Sequence, residues 1–339
     1  MRVSHLSIVA VLLLAGCATE TTSTVSTSTS TTTTTVQTAA PIVVLSAVAA
    51  VAATIDRVLL TGDGRTRTYH LYVPAALPAG PVPLLVAFHG GTGSGTQFQK
   101  QSNFDGLAEA NGFIVVFPDG VGLGPNADKF RTWNAGYCCG TAAKQSVDDV
   151  AFIADLIDLI TGEFEIDSDR IFAAGHSNGG IMAYRLACEL SDRIVAIGLQ
   201  AGSLGVDECS PSQPVSVLHI HGTADQNHPI TGGIGANSIS NTDFRSAMFS
   251  VTAAAAAMGC ESAPATSVDV ANPNLTVSSW TSCQQGAEVQ LVAVFGASHA
   301  WMGHPAAARE LVGVPYADLD ASVAVLSFLL NHPRSVSTT

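Results

Sequence analysis

The residues best suited to chemistry begin with a serine. Gly175-His176-Ser177-Asn178-Gly179-Gly180 follows an apolar run at 171–174 and precedes a helical pattern that starts near Ile181. Glycine on both sides of a serine, between a strand and a helix, leaves room for a tight turn that thrusts the hydroxyl out at the helix start. A serine there could simply cap the helix, but the strand before it and the paired glycines favour a nucleophile. A hydroxyl is a weak nucleophile at neutral pH and needs a base that a carboxylate orients. The chain supplies both later. Asp225 closes His221-Gly222-Thr223-Ala224-Asp225, directly past the apolar run 215–220, and His299 lies in Phe295-Gly296-Ala297-Ser298-His299-Ala300-Trp301, at the end of the run 289–295. Asp207 and Asp243 compete for the acid, one in a loop near Cys209 and one where a helix start would use aspartate as a cap. His304 and the cluster His219, His221 and His228 compete for the base; chain order and the preceding strand favour His299.

A second glycine-rich turn, His89-Gly90-Gly91-Thr92-Gly93-Ser94-Gly95, follows the run 84–88. The amides of Gly91 and Asn178 are expected to hold the negative oxygen that develops when a serine attacks a carbonyl. A phosphate-binding loop would need a Gly-Lys-Ser/Thr ending or a GxGxxG before a helix, and the turn has neither. Trp133, in Thr132-Trp133-Asn134-Ala135-Gly136-Tyr137-Cys138-Cys139-Gly140, and Trp301 are candidate walls of a substrate cleft, able to stack on an aromatic acyl group or a sugar. A loop anchor is the competing role for Trp133. Val147-Asp148-Asp149-Val150 reads as a helix start whose carboxylates serve as cap and dipole partners.

These groups need a frame, and the pattern of apolar residues describes one. Short continuous runs at 84–88, 113–117, 171–174, 195–199, 215–220 and 289–295 alternate with helical periodicity at 104–110, 147–160, 181–190, 244–258 and 318–330. That is the pattern of an α/β domain with a mostly parallel sheet covered on both faces. Ahead of it, 56–60 and 66–73 flank Gly62-Asp63-Gly64 as an antiparallel hairpin. The loop 227–241, rich in Gly, Ser and Asn, is expected near the site, and 261–282 is expected to be irregular.

With 339 residues, 47% of them hydrophobic and 12% charged, the chain can bury one large domain, expected over 55–333. Its net charge of 14 − 27 = −13 opposes nucleic acid and anionic lipid as partners. The first residues are a short basic start, an apolar run at 6–14 and Leu14-Ala15-Gly16-Cys17, which together read as an export signal over 1–16. The Leu-Ala-Gly-Cys ending resembles the bacterial lipobox, so Cys17 is expected to carry lipid that tethers the protein to a membrane surface; an ordinary cleaved signal is the competing reading. Residues 19–38 are almost wholly Thr and Ser, a linker within 17–54 open to O-glycosylation. The apolar run 42–55 is shorter than the about 20 residues of a spanning helix, and its later part leads into the first strand. A tail follows at 334–339.

Six further cysteines, Cys138, Cys139, Cys188, Cys209, Cys260 and Cys283, suggest three disulfides in an exported protein. Cys260 with Cys283 is the expected pair. The pairing of the other four stays open, with the adjacent Cys138 and Cys139 expected to take separate partners. Neither a CxxC pair nor HExxH occurs, so a metal site is not expected, and no cofactor is required. A monomer is expected.

From about 83 to 304 the sequence resembles the secreted bacterial esterases described as polyhydroxybutyrate depolymerase-like or feruloyl esterase-like, which include lipoproteins. Carrying the resemblance are Trp133-Asn134-Ala135-Gly136 with its two cysteines, Val147-Asp148-Asp149-Val150, Ser177-Asn178-Gly179-Gly180, His219-Ile220-His221-Gly222-Thr223-Ala224-Asp225 and His299-Ala300-Trp301. It implies an α/β-hydrolase fold and Ser177, Asp225 and His299 as the triad. One departure is Trp301-Met302-Gly303, where the family usually has Trp-Pro-Gly; it bears on loop rigidity more than on catalysis. The expected activity is ester hydrolysis through an acyl-enzyme, with release of hydroxycinnamate from plant cell-wall polysaccharide ahead of poly(3-hydroxybutyrate) or acetylxylan as substrate. A non-catalytic surface lipoprotein that binds polysaccharide is the alternative of another class. Its mark would be loss of a triad residue, and none is lost.

Overall fold

In the computed structural model the described residues are 52–124, 126–260, 263–306 and 308–334. The expected signal 1–16, the lipid-bearing Cys17, the Thr/Ser linker and the tail beyond Arg334 lie outside them, and the run 42–55 is described only from residue 52. The chain opens as the hairpin expected: β1 (Ala53–Leu60) and β2 (Thr66–Val73) pair antiparallel, from Ala53 opposite Val73 to Leu60 opposite Thr66. β3 (Val82–Phe88) follows, then α1 (Gly95–Ser102), α2 (Phe104–Asn111) and β4 (Ile114–Pro118). A two-stranded flap, β5 (Val121–Leu123) and β6 (Lys129–Thr132), leads through α3 (Gly140–Lys144) to α4 (Asp149–Glu163), β7 (Ile166–His176) and α5 (Asn178–Glu189). The second half runs β8 (Ala196–Gln200), β9 (Ser216–Gly222), α6 (Ala247–Ala257), β10 (Ala265–Val268), β11 (Leu275–Trp280), β12 (Val289–Val294), α7 (Arg309–Val312) and α8 (Ala321–Leu330).

Among the described residues ten strands form one sheet, in the order β1-β2-β4-β3-β7-β8-β9-β12-β11-β10. The six from β4 to β12 are parallel, and each edge is antiparallel. Strand side chains alternate between faces, and here both faces are apolar, which is why the central strands read as unbroken apolar runs. Leu84, Val86 and Phe88 of β3 join one core with α4, α5 and α6, while Leu85 and Ala87 join a second core with α1, α2 and α8. β4 divides the same way: Ile114 and Val116 belong to the first core, Val115 and Phe117 to the second.

Two expectations are corrected. The segment 261–282 contains β10 and β11; their Thr and Ser residues give an edge strand no continuous apolar run to be recognised by. The second correction concerns the cysteines. The end of α5 meets the loop after β8, where Cys188 bonds Cys209, which leaves Cys138 and Cys139 bonded to each other rather than to separate partners. Cys260 pairs with Cys283 as expected. Asp148 and Asp149 begin α4 as expected, and they differ in what they hold. Asp148 caps the helix, accepting from Ala151 N at 3.0 Å, whereas Asp149 is fully buried against the Arg67 guanidinium at 2.7 Å and accepts from Asn134 N at 2.7 Å. Asp149 therefore ties the loop that carries Trp133 to the sheet.

Candidate active site

Ser177 sits between β7 and α5 with φ 55° and ψ −121°, a region that L-residues rarely adopt and that costs on the order of 1–3 kcal/mol. The glycines beside it make the turn possible. A Cβ on Gly175 would lie 2.2 Å from the Gly179 oxygen, and one on Gly179 would lie 2.3 Å from the Phe88 oxygen. Both obstacles are backbone, so neither can rotate away. Gly179→Ala is expected to destabilise the protein by at least about 3 kcal/mol, read as a lowered urea midpoint, because β3 and α5 must separate to admit the methyl group.

Asp225 and His299 arrive at the same place from β9 and β12, which lie beside β7 and β8 at the carboxyl end of the parallel sheet. His299 Nε2 is 2.9 Å from Ser177 Oγ, and His299 Nδ1 is 2.7 Å from Asp225 Oδ2. The other oxygen of Asp225, Oδ1, accepts from the amides of Asn227 and His228, each at 2.8 Å. Burial by itself would raise the Asp225 carboxyl, but its interaction with the His299 ring, the His221 N–H that faces it and the hydrogen bond to His299 outweigh that and hold the group ionised, far below the usual carboxylate range. The competitors are occupied elsewhere: Asp207 pairs with Arg245, and His304 with Asp320 at 3.0 Å.

The turn after β3 lies against the serine. A Cβ on Gly90 would touch Ser177 Cβ at 3.4 Å, and one on Gly91 would lie 3.8 Å from Asn178 Cβ. The amides of Gly91 and Asn178 make no hydrogen bond among the described residues, and both residues line the cleft. Donors placed this way can stabilise an oxyanion without reorganising.

Trp133 and Trp301 are not cleft walls. Each is fully buried. Trp133 packs edge-on to Phe88 and donates from Nε1 to the His89 oxygen at 3.0 Å; its own amide donates to Asn178 Oδ1 at 2.7 Å. It is a loop anchor that braces the residue after the serine. Trp301 donates to Ser322 Oγ at 2.9 Å among Phe98, Phe104 and His176. An indole in a loop fills an interior gap as readily as it lines a cleft, and sequence spacing does not distinguish the two.

Two supports escaped the sequence reading. His176 Nε2 donates to the His299 oxygen at 2.8 Å, and fully buried Gln200 donates to the Ala300 oxygen at 2.9 Å while accepting from Met302 N at 2.9 Å. Together they fasten the loop that carries His299. His176 stands next to the serine in sequence, and Gln200 ends a strand that is otherwise apolar; a lone amide at that position is the signal.

Burial pushes His89 down from 6.5 to about 4, and burial with the neighbouring His299 pushes His176 down to about 3. Unfolding lets both rings take up protons at pH values where the folded protein does not. Stability should therefore fall as pH drops below 6.5, at up to about 1.4 kcal/mol per pH unit for each ring, until the folded form titrates in turn. Thermal melts from pH 7 to 5 should show a steady decline; a flat melting temperature would contradict neutral burial of these rings.

The cleft in front of Ser177 has a volume of about 640 Å³. Residues 67–242, more than half of the chain, match the family model described as Esterase PHB depolymerase. The chain belongs to that family. It is a carboxylic ester hydrolase with the α/β-hydrolase fold. The esterase is 30% identical over 304 residues to a putative esterase, NocK, from Nocardia uniformis subsp. tsuyamanensis, covering 84% of each chain. It is 31% identical over 224 residues to feruloyl esterase B of Piromyces equi, covering 64% of this chain and 39% of that one. A bifunctional acetylxylan esterase/xylanase from Neocallimastix patriciarum is 26% identical over 70% of this chain, which spans 31% of that protein. Among solved structures, sOPH aligns with a TM-score of 0.53 at 16% identity, covering 82% of this chain and 87% of that one. An acetyl xylan esterase from Aspergillus awamori aligns with a TM-score of 0.50 at 16% identity, covering 72% and 94%. At such identities what these structures share with the esterase is its fold.

Proposed function

We propose that this esterase is an exported serine enzyme that cleaves hydroxycinnamate esters of plant cell-wall polysaccharide. The observation that carries the serine mechanism is the unbroken line Ser177 Oγ, His299, Asp225, with two unengaged amides beside it in a cleft. His299 takes the proton from Ser177 as its oxygen attacks the ester carbonyl, Asp225 supports the imidazolium, and the Gly91 and Asn178 amides receive the oxyanion. The alcohol leaves with the proton from His299. Water, activated by the same base, then releases the acid from Ser177.

Support for an aromatic acyl group comes from the cleft mouth and from the relatives. Leu123, Phe130, Ile239 and Leu311 stand exposed around it, so the apolar contact surface belongs to these residues rather than to Trp133 and Trp301. Relatives named feruloyl esterase and acetylxylan esterase favour polysaccharide esters. Three disulfides support an oxidising location, in keeping with a signal at 1–16, a lipid on Cys17 and a Thr/Ser tether that holds the domain, 55–333, off the membrane. The test is parallel hydrolysis of methyl ferulate, a short p-nitrophenyl ester and a polyhydroxybutyrate suspension by the purified protein and by its Ser177→Ala variant. Strong turnover of methyl ferulate with none of the polyester supports the proposal. The reverse preference makes the protein a depolymerase, and serine-independent or absent turnover of all three removes the mechanism.

A further inference from the structure

Behind the acid lies a line of buried polar side chains that the reaction as described does not use. Residues two apart on a strand share a face, and His219 and His221 of β9 both turn toward α5, where Tyr184 meets them. Tyr184 Oη is 3.0 Å from His219 Nδ1, His219 Nε2 is 2.9 Å from His221 Nδ1, and His221 Nε2 is 2.8 Å from the His228 backbone oxygen. Tyr184, His219 and His221 are each no more than 1% exposed.

For rings in their neutral form the last contact fixes all the others. A carbonyl oxygen only accepts, so His221 Nε2 carries the hydrogen and His221 Nδ1 must accept. His219 Nε2 is then the donor, His219 Nδ1 the acceptor, and the Tyr184 hydroxyl donates to it. Every hydrogen in the line then points toward the acid. The same His221 N–H faces Asp225 Oδ2 at 3.6 Å, the oxygen that receives His299. His228, whose carbonyl ends the line, also gives its amide to Asp225 Oδ1, and its ring stacks on Phe244 at 3.9 Å in the wall of the cleft. The groups that face His221 are therefore Tyr184 from α5, His219 from its own strand, Asp225 and His228 from the loop after β9, His176 from the end of β7 and His299 from the loop after β12.

We infer that His221 is a positioning residue: through its Nε2–H it fixes the 225–228 loop and holds the Asp225 carboxylate at the angle His299 requires, with Tyr184 and His219 locking its tautomer. The inference rests on Asp225 being the triad acid. Loss of the N–H would let the 225–228 loop relax and would remove a dipole that partly offsets the carboxylate charge. The less that charge is offset, the more it favours the imidazolium at 299, so the acid limb of kcat/KM should move to higher pH.

The two nitrogens of His221 can be tested separately. A glutamine amide reaches the place of Nε2 and an asparagine amide the place of Nδ1. Wild type, His221→Gln, His221→Asn and His221→Leu would be compared on a p-nitrophenyl ester across pH, with a thermal melt for each and Ser177→Ala alongside. We expect the Gln variant to stay near wild type. The Asn and Leu variants should lose about tenfold or more in kcat, with KM little changed and the acid limb raised, because a small misplacement of the triad costs rate rather than binding. Equal kcat and equal acid limbs in the Asn and Gln variants would overturn the proposal, since a ring needed only to fill the interior is served by either amide. A wild-type-like Leu variant would overturn it too, as would failure of all three variants to fold. Wild-type turnover that survives Ser177→Ala would instead count against the serine mechanism itself.

Discussion

Ser177→Ala is expected to lower kcat on any ester substrate by at least about ten-thousand-fold while leaving KM within a small factor. The change removes one oxygen and the bond it would form. It leaves the Gly91 and Asn178 amides, the His299–Asp225 pair and the cleft in place, so the substrate still binds and a trace of rate over water survives. Stability should change by less than about 0.5 kcal/mol, because alanine meets the same unusual backbone angles as serine and the turn is held by Ser177 N donating to the Gln200 oxygen at 2.9 Å. Steady-state kinetics and a denaturant melt on one preparation check both halves. A variant that keeps more than about one per cent of wild-type kcat would mean that another group attacks the ester.

Asp225→Asn should cost about a thousandfold to ten-thousandfold in kcat with the fold intact, through the direction of a hydrogen bond rather than its loss. Oδ1 accepts from two backbone amides, Asn227 N and His228 N, so the asparagine oxygen must take that place. Its NH2 then faces His299 Nδ1, which can satisfy it only by giving up its own hydrogen. The neutral ring must carry its hydrogen on Nε2 instead, pointed at Ser177 Oγ, and has no lone pair left to receive the serine proton. Kinetics below and above neutrality, with a melt to show an unchanged fold, test this. Near-normal kcat in the Asn variant would show that Asp225 does not set the tautomer of the base.

The sequence made the chemistry more legible than the walls around it. Ser177, Asp225 and His299 each stand directly past an apolar run, and runs buried on both faces are conspicuous, so strand ends and the residues proposed to act there are legible together. α1 leaves little periodicity in the sequence: Phe98 is its only large apolar side chain, and its start depends on a local cap, Ser94 accepting from Gln97 N at 3.1 Å. β10 and β11 carry no continuous apolar run, because β10 lies at the sheet edge with β11 beside it, where Thr and Ser suffice. Trp133 and Trp301 were misplaced for a different reason. Whether an indole faces inward depends on what packs above it, and Phe88, Phe98 and Phe104 come from distant parts of the chain. The pairing of Cys138 with Cys139 followed from the meeting of Cys188 with Cys209, which no spacing reveals.

The three groups proposed to act on the ester hang from β7, β9 and β12, strands whose spacing of about 4.8 Å per neighbour is set by backbone hydrogen bonds and not by side chains. The residues around the cleft mouth belong instead to the 121–132 flap, to 227–241 and to α7, none of which contributes a strand to that sheet. On the proposed mechanism, reactivity and selectivity belong to separate stretches of chain. Loops exchanged with those of a relative should retune which ester is admitted while the reacting atoms keep their distances, which makes this framework a natural recipient for grafted substrate preferences.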